Sequence, residues 1–372
     1  MSGVDSAAGV APAAGPLVKC LVWDLDGTLW PGIQAEGAAP VPQTAWLGLM
    51  ARLTARGIVQ SVASRNDPAA GARLLAHPAL AGRFVAPQIG WEPKDVALRQ
   101  IAATLNIGLD TLAFVDDSPF ERAAVAAVLP EVRLFRPADL AGLAERAEFA
   151  GGLGTAEAAA RTQLYQQAAV RQAAERDFAG DRLRFLHSCA MVLTLRPAMA
   201  ADLPRLDELV ARTNQLNSTG RRYAPAEVAA RVGDPVAWLV PVARLQDRFG
   251  DYGLIGAALV DRRDPGAWGV ELLMLSCRVE GRGIPAALLR WLLGQAGAAG
   301  VAALTALYRA NPQNRQMALL LRQLGFHATD AAPPLDPAGA GATVYRRATA
   351  PPLPAYPVWL RLAVVGFPLE AL

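Results

Sequence analysis

Val22-Trp23-Asp24-Leu25-Asp26-Gly27-Thr28-Leu29 carries an apolar run into two carboxylates spaced two apart and then into a glycine. The run reads as a strand buried on both faces, over 18–23, that stops where the charges begin. In an open α/β sheet, ligands sit beyond the carboxyl ends of the strands, at the point where strand order reverses. Asp24 and Asp26 are expected to emerge there. One carboxylate can attack phosphorus while a bound divalent cation screens its charge, and the other can exchange a proton with the leaving group. Alone, an Asp-x-Asp is explained equally well by a surface loop or a helix cap.

Downstream of this stretch, short apolar runs alternate with amphipathic ones up to about residue 146, the pattern of βα repeats around a parallel sheet. Strands are expected at 58–63, 84–89, 111–115 and 132–135, with helices at 41–56, 68–76, 93–105 and 119–128. Three further polar elements fall at strand ends or helix starts. Ser64-Arg65-Asn66-Asp67 offers a hydroxyl and backbone N–H groups to phosphoryl oxygens, and Trp91-Glu92-Pro93-Lys94 offers a cation. Asp116-Asp117-Ser118 offers the oxygen ligands that a hard cation such as Mg²⁺ takes.

In this order the four elements resemble the motifs of the haloacid dehalogenase (HAD) superfamily over about 130 residues. The resemblance implies that Asp24 is the nucleophile, Asp26 the acid/base, and Ser64 and Lys94 phosphate contacts. It makes Asp116 a metal ligand with Asp24 and the Asp26 carbonyl, assisted by Asp117. The short gap between Thr28 and Val41 leaves no room for a large cap domain after the first strand.

A second α/β pattern begins near residue 191. Strands are expected at 191–196, 236–244, 253–261, 267–276 and 301–308, with helices at 199–213, 284–298 and 315–324. Arg278-Val279-Glu280-Gly281-Arg282-Gly283 lies between a strand and a helix. Its glycines let successive N–H groups face one concavity, an anion cradle for a pyrophosphate or a phosphopantetheine phosphate. With Asn314 and Leu320 ahead of Gly325-Phe326, the segment is similar to the GCN5-related N-acetyltransferase (GNAT) pattern. Leu321 stands where many such enzymes have a proton-donating tyrosine, which speaks against amine acetylation. Cys277 is the one cysteine at such a turn, where Arg278 and Arg282 favour a thiolate. Read from the residues alone, a packing residue at a strand end is the favoured alternative.

Taken together the chain resembles the FkbH-like HAD family, didomain glyceryl transferases and phosphatases that load glycerate units onto acyl carrier proteins in polyketide biosynthesis. Besides the HAD motifs, the stretches that carry this are 212–223, 247–256 and 275–279. The resemblance implies a Rossmann-like HAD domain followed by a GNAT-like domain. It implies 1,3-bisphosphoglycerate as a small phosphorylated three-carbon substrate, Mg²⁺ as cofactor and the carrier's phosphopantetheine as acceptor. Cys277 then holds the glyceryl thioester while Asp24 performs the dephosphorylation. Arg65, Asn66, Asn214, Asn217, Arg221, Arg222, Arg278, Gly281 and Gly283 are the expected substrate contacts, with Arg221 and Arg222 as a bidentate clamp on phosphate or carboxylate. The sequence departs from the family at Arg65, where lysine is common, and near Ser218 and Gly220, where bulkier residues are usual.

The chain's 372 residues exceed a single ordinary core. The expected divisions are a tail at 1–16, a HAD-like domain at 17–150, a helical connector at 151–190, a GNAT-like domain at 191–348 and a Pro-rich tail at 349–372. Lysine and arginine number 36 against 33 acidic residues, a balance with no footprint for nucleic acid. Three cysteines without a CxxC pair argue against a disulfide framework and a structural zinc site. No apolar run approaches the ~20 residues of a membrane span, and no signal peptide is apparent, so a cytoplasmic location is expected. Two other readings fit the same residues. One is a HAD phosphatase fused to a coenzyme A-dependent acyltransferase, the other a carrier-binding adaptor without chemistry.

Overall fold

The computed structural model describes residues 16–32, 42–150, 155–330 and 341–367. The expected N-terminal tail up to residue 15, the start of the expected 41–56 helix, most of the gap read as too short for a cap domain, the glycine-rich start of the connector and the last five residues lie outside these. The chain forms two compact units that divide after Thr162, inside the segment read as a connector.

The first unit holds β1 (Cys20–Trp23), α1 (Thr44–Ala55), β2 (Val59–Arg65), α2 (Pro68–Leu75), β3 (Gln88–Gly90), α3 (Lys94–Leu105), β4 (Leu112–Val115), α4 (Pro119–Val128) and β5 (Arg133–Phe135), with a short α5 (Ala156–Ala159) after them. Its sheet is parallel, in the order β3-β2-β1-β4-β5. The chain builds one side of β1 first and then crosses to the other, so strand order reverses beside the carboxyl end of β1. All four residues of β1 are buried, as are the first six of β2, because helices cover both faces. Buried Trp23 donates from Nε1 to Gln60 Oε1 at 2.8 Å, satisfying two polar groups inside the sheet.

The second unit takes in most of α6 (Arg161–Arg176), then α7 (Arg182–Ser188), β6 (Met191–Pro197), α8 (Leu203–Arg212), α9 (Pro225–Gly233), β7 (Trp238–Leu239), β8 (Pro241–Asp247), β9 (Gly250–Asp261), β10 (Ala267–Leu275), α10 (Ile284–Ala298), β11 (Ala303–Arg309), α11 (Arg315–Gln323), β12 (His327–Thr329), β13 (Ala342–Ala348) and β14 (Leu360–Val364). Its sheet runs β12-β13-β11-β10-β9-β8-β6-β14, with β7 beside β9. It is mixed, parallel between β10 and β11 and between β6 and β14. Apolar clusters lie on both faces, one around α10 and the other around α8 and α9. The α/β class read from the sequence therefore stands in both units.

Several elements differ from expectation for local reasons. The strand expected at 84–89 is reduced to Gln88–Gly90, because Ala86 sits at φ 48° and Pro87 has no N–H to give the ladder. Pro241 splits the 236–244 run into β7 and β8. Helix α9 was not expected, although Pro225 begins it and Glu227 accepts the Ala224 N–H at 2.8 Å. The polar turn after β8 closes a tight hairpin because Asp247 accepts the Phe249 and Gly250 amides at 2.8 and 3.1 Å. The same carboxylate takes Tyr252 Oη at 2.8 Å and the guanidinium of buried Arg171 at 2.7 and 3.1 Å, anchoring α6. The Pro-rich end read as a tail supplies β14 to the second sheet.

Candidate active site

At the carboxyl end of β1, Asp24 is buried beside two buried partners. Its Oδ1 accepts from Lys94 Nζ, which also donates to the Ala63 carbonyl at 2.7 Å and faces Asp116 Oδ2 at 3.2 Å. Lys94 begins α3, and Asp116 directly follows β4, so three neighbouring strand ends and one helix start converge. Burial lifts Asp24 from 3.8 to about 6, against the pull of Lys94 and with the push of Asp116. Burial also raises Asp116, again opposed by Lys94. One ammonium does not balance this site.

Asp24, Asp116 and exposed Asp117 bring ligand oxygens within 4.8 Å of one another. Three carboxylates and one ammonium leave two negative charges, which a divalent cation would balance, and oxygen donors suit Mg²⁺. Asp116 Oδ1 accepts the Ser118 N–H at 2.8 Å, and its buried Oδ2 faces the Lys94 ammonium shared with Asp24. The residues fit the metal. The Asp26 carboxylate is not part of this group: its Oδ1 accepts from Trp30 Nε1 at 2.8 Å and its Oδ2 from Asn66 Nδ2 at 3.2 Å. Trp30 and Asn66 thus fix its orientation beside the cluster.

Three positioning residues were missed in the sequence. Thr28 Oγ1 accepts the Asp117 N–H at 3.0 Å and donates to Asp117 Oδ1 at 3.3 Å, holding the exposed carboxylate toward the cluster. Gly27, at φ 72°, lies so close under Asp117 that a Cβ would collide with the carboxylate. Trp30 orients Asp26 from a turn four residues on. The Asp-x-Asp-Gly-Thr spacing was the available signal for the first two. Ser64 is buried at the end of β2, and Arg65 is paired with Glu121 of α4 at 3.2 Å.

The second set lies in the second unit. Cys277 is half-buried and starts a short 3-10 turn after β10, with Ser276 Oγ accepting from Arg278 Nε at 3.1 Å. Arg282 sits 5.7 Å from the Tyr252 ring centre. Gly281 and Gly283 hold φ 70° and 78°, and Gly283 precedes α10. Arg221 and Arg222, the expected clamp, hold different partners here. Arg221 is committed to Glu227 at 2.8 Å and stacks on Tyr223, while Arg222 donates to the last carbonyls of α8 and, at 2.5 Å, to Asn214. Asn217 is fully buried and turned inward. Cys20 and Cys189 are packing residues whose thiols burial pushes up. Leu321 is buried and offers no proton. A cavity of about 1020 Å³ against α10 is lined by neither set.

No protein-family model matches the chain, and no curated protein matches it significantly. Among solved structures it is similar to the N-terminal, phosphatase-domain-containing part of a Bacteroides fragilis protein complexed with Mg. That likeness has 30% identity over 35% of this chain and 39% of that one, with a TM-score of 0.31. The chain thus spans well under half the length of that structure. It is also similar to the ribosomal-protein-S18-alanine N-acetyltransferase of Escherichia coli, at 18% identity over 42% of this chain and 94% of that one, TM-score 0.33. An acetyltransferase of Agrobacterium tumefaciens is similar at 23% identity over 42% and 90%, TM-score 0.34. Among the described residues no helix is long and apolar enough to cross a membrane.

Proposed function

We propose that the chain is a Mg²⁺-dependent glyceryl transferase and phosphatase that converts 1,3-bisphosphoglycerate into a glyceryl thioester on the phosphopantetheine of an acyl carrier protein. The observation that carries this reading is the buried Asp24, held by Lys94 and grouped with Asp116 and Asp117 at the switch point of a parallel sheet. Two different leaving reactions are needed. The acyl phosphate is already activated, so the Cys277 thiolate forms an S–C bond to the carbonyl carbon as the C–O bond breaks and phosphate departs. The acyl group then passes to the carrier thiol.

The 3-phosphate is a stable ester and needs more help. Asp24 forms an O–P bond while the P–O bond to C3 breaks and Asp26 protonates the departing oxygen. Asp26 then takes a proton from the water that releases phosphate from Asp24. Lys94 and the Ser64 region offset charge on the phosphoryl oxygens. Asp24, Asp116, Asp117 and the Asp26 carbonyl would hold Mg²⁺, which would supply positive charge against the phosphoryl oxygens.

The test is incubation with 1,3-bisphosphoglycerate, Mg²⁺ and a holo-carrier, read by phosphate release and intact-protein mass. A glyceryl mass gain on the carrier is expected, lost in Cys277→Ala. Release from the 3-position is expected to vanish in Asp24→Asn. Unchanged, metal-dependent release in Asp24→Asn overturns the scheme, and carrier binding without any phosphate release favours an adaptor.

A further inference from the structure

Parallel strands β10 and β11 are in register only where 267–270 lie against 303–306. Beyond this they part, and the facing edges of 271–275 and 307–309 carry backbone groups that need partners. A pantetheine arm, extended and bearing two amides, is a natural partner for such edges by strand addition. Here the partner is already present. Leu275 N donates to Leu216 O at 2.8 Å, Ser218 N donates to Leu273 O at 2.9 Å, and Asn217 bridges antiparallel to Met274. On the opposite edge Arg309 N donates to Ser218 O at 3.0 Å.

Side chains lock this segment in place. Ser218 Oγ accepts the Leu273 N–H at 3.1 Å. Fully buried Asn314 donates from Nδ2 to Asn217 O and to Arg309 O, both at 2.9 Å, joining the segment to the end of β11. Asn217 Oδ1 accepts the amides of Thr219 and Gly220 at 3.1 and 2.7 Å and turns the chain back out. Pro357 and Trp359 pack on Gly283, where a Cβ would stand 2.8 Å from Pro357, and Trp359 Nε1 donates to Arg282 O at 3.0 Å. The glycine turn expected to cradle a pyrophosphate is thus backed by the chain's own C-terminal segment.

We infer that residues 216–218 are a built-in strand that denies the diverging-strand cleft to a pantetheine arm, with Asn217, Ser218 and Asn314 as the residues that set this specificity. Coenzyme A does not fit the cleft, and the second unit takes no acyl group from it there. Half-buried Cys277 follows Leu275 by two residues, in the turn after β10. The meaning of this for specificity rests on the acyl-transfer reading, but the filled cleft is tested without turnover.

The experiment is hydrogen exchange on the full chain, alone and with coenzyme A or a holo-carrier, alongside calorimetric titration of coenzyme A. Slow exchange at Ser218, Leu273, Leu275 and Arg309 is expected, unchanged by either ligand, with no saturable coenzyme A binding. Fast exchange at these amides, or their deprotection by either ligand with one-to-one binding, overturns the inference. Asn314→Ala is expected to speed exchange at Ser218 and Arg309 about tenfold or more and to admit coenzyme A. Should that variant not fold, Ser218→Ala decides: Leu273 exchange is expected to rise, and an unchanged Leu273 overturns the lock. Loss of phosphate release in Asp24→Asn bears on none of these readouts.

Discussion

The end of β1 and the end of β10 occupy the same kind of place, the carboxyl end of a central strand, and treat it in opposite ways. Around Asp24 the fold gathers carboxylates that one lysine does not neutralise, and burial holds Asp24 near 6. Around Leu273 and Leu275 the fold supplies its own strand and an asparagine that joins both edges. A site left uncompensated is primed for a ligand and costs stability without one, whereas a site satisfied from within gains stability and excludes ligands.

The sharpest way to break this contrast is Asp24→Asn. Phosphate release should fall by on the order of 10³-fold or more, as for loss of a nucleophile. Stability in chelator should move the other way. The folded carboxyl binds its proton near 6 and the unfolded one near 3.8. This group's stabilisation is therefore complete below the unfolded value and is lost as pH rises through the folded one. Asp24→Asn removes that loss, on the order of 3 kcal/mol at neutral pH. Denaturant melts at pH 5 and pH 7.5 would show it, and a variant less stable at pH 7.5 would refute an uncompensated site.

Lys94→Met removes the ammonium that pairs with both Asp24 and Asp116 and should cost about 3–5 kcal/mol in chelator, as for one partner of a buried pair. Added Mg²⁺ should raise its unfolding midpoint more than that of the parent chain. An unaffected midpoint would mean that the carboxylates do not share a site. A smaller and more discriminating pair is Gly27→Ala and Gly283→Ala, each forced to positive φ against a close neighbour and each costing roughly 1–3 kcal/mol. The first should weaken Mg²⁺ binding, measured by titration, and the second should leave it unchanged. The smallest effect belongs to Arg52→Ala, which breaks an exposed pair with Glu145. Its cost, about 0–1 kcal/mol, sets the baseline for the others in the same melts.

Much of the first site was legible because its signals are local. An apolar run that stops at Asp24, and another that stops at Asp116, place both carboxylates at strand ends without knowledge of any contact. Lys94 was legible for the same reason, at the start of a helix behind a proline. Thr28 on Asp117 was not, since the two are 89 residues apart in the chain and threonine has many uses. In the second unit, the polar 214–223 stretch suggested substrate contacts, and the structure buries Asn217 and Ser218 and sets Arg222 against the end of α8. Ser218 and the Asn217 carbonyl meet partners 55 and 97 residues away, which no local pattern reveals.

By itself the amino-acid order determined the alternation of strands and helices, the turn glycines and the carboxylates at strand ends, because period, capping and turn chemistry act over a few residues. Only the tertiary structure decided that Asp24 lacks enough positive charge, that residues 216–218 fill the gap beside β10, and that the Pro-rich end becomes a strand on β6. Desolvation and backbone pairing between distant segments depend on which surfaces meet, and no local pattern encodes that meeting.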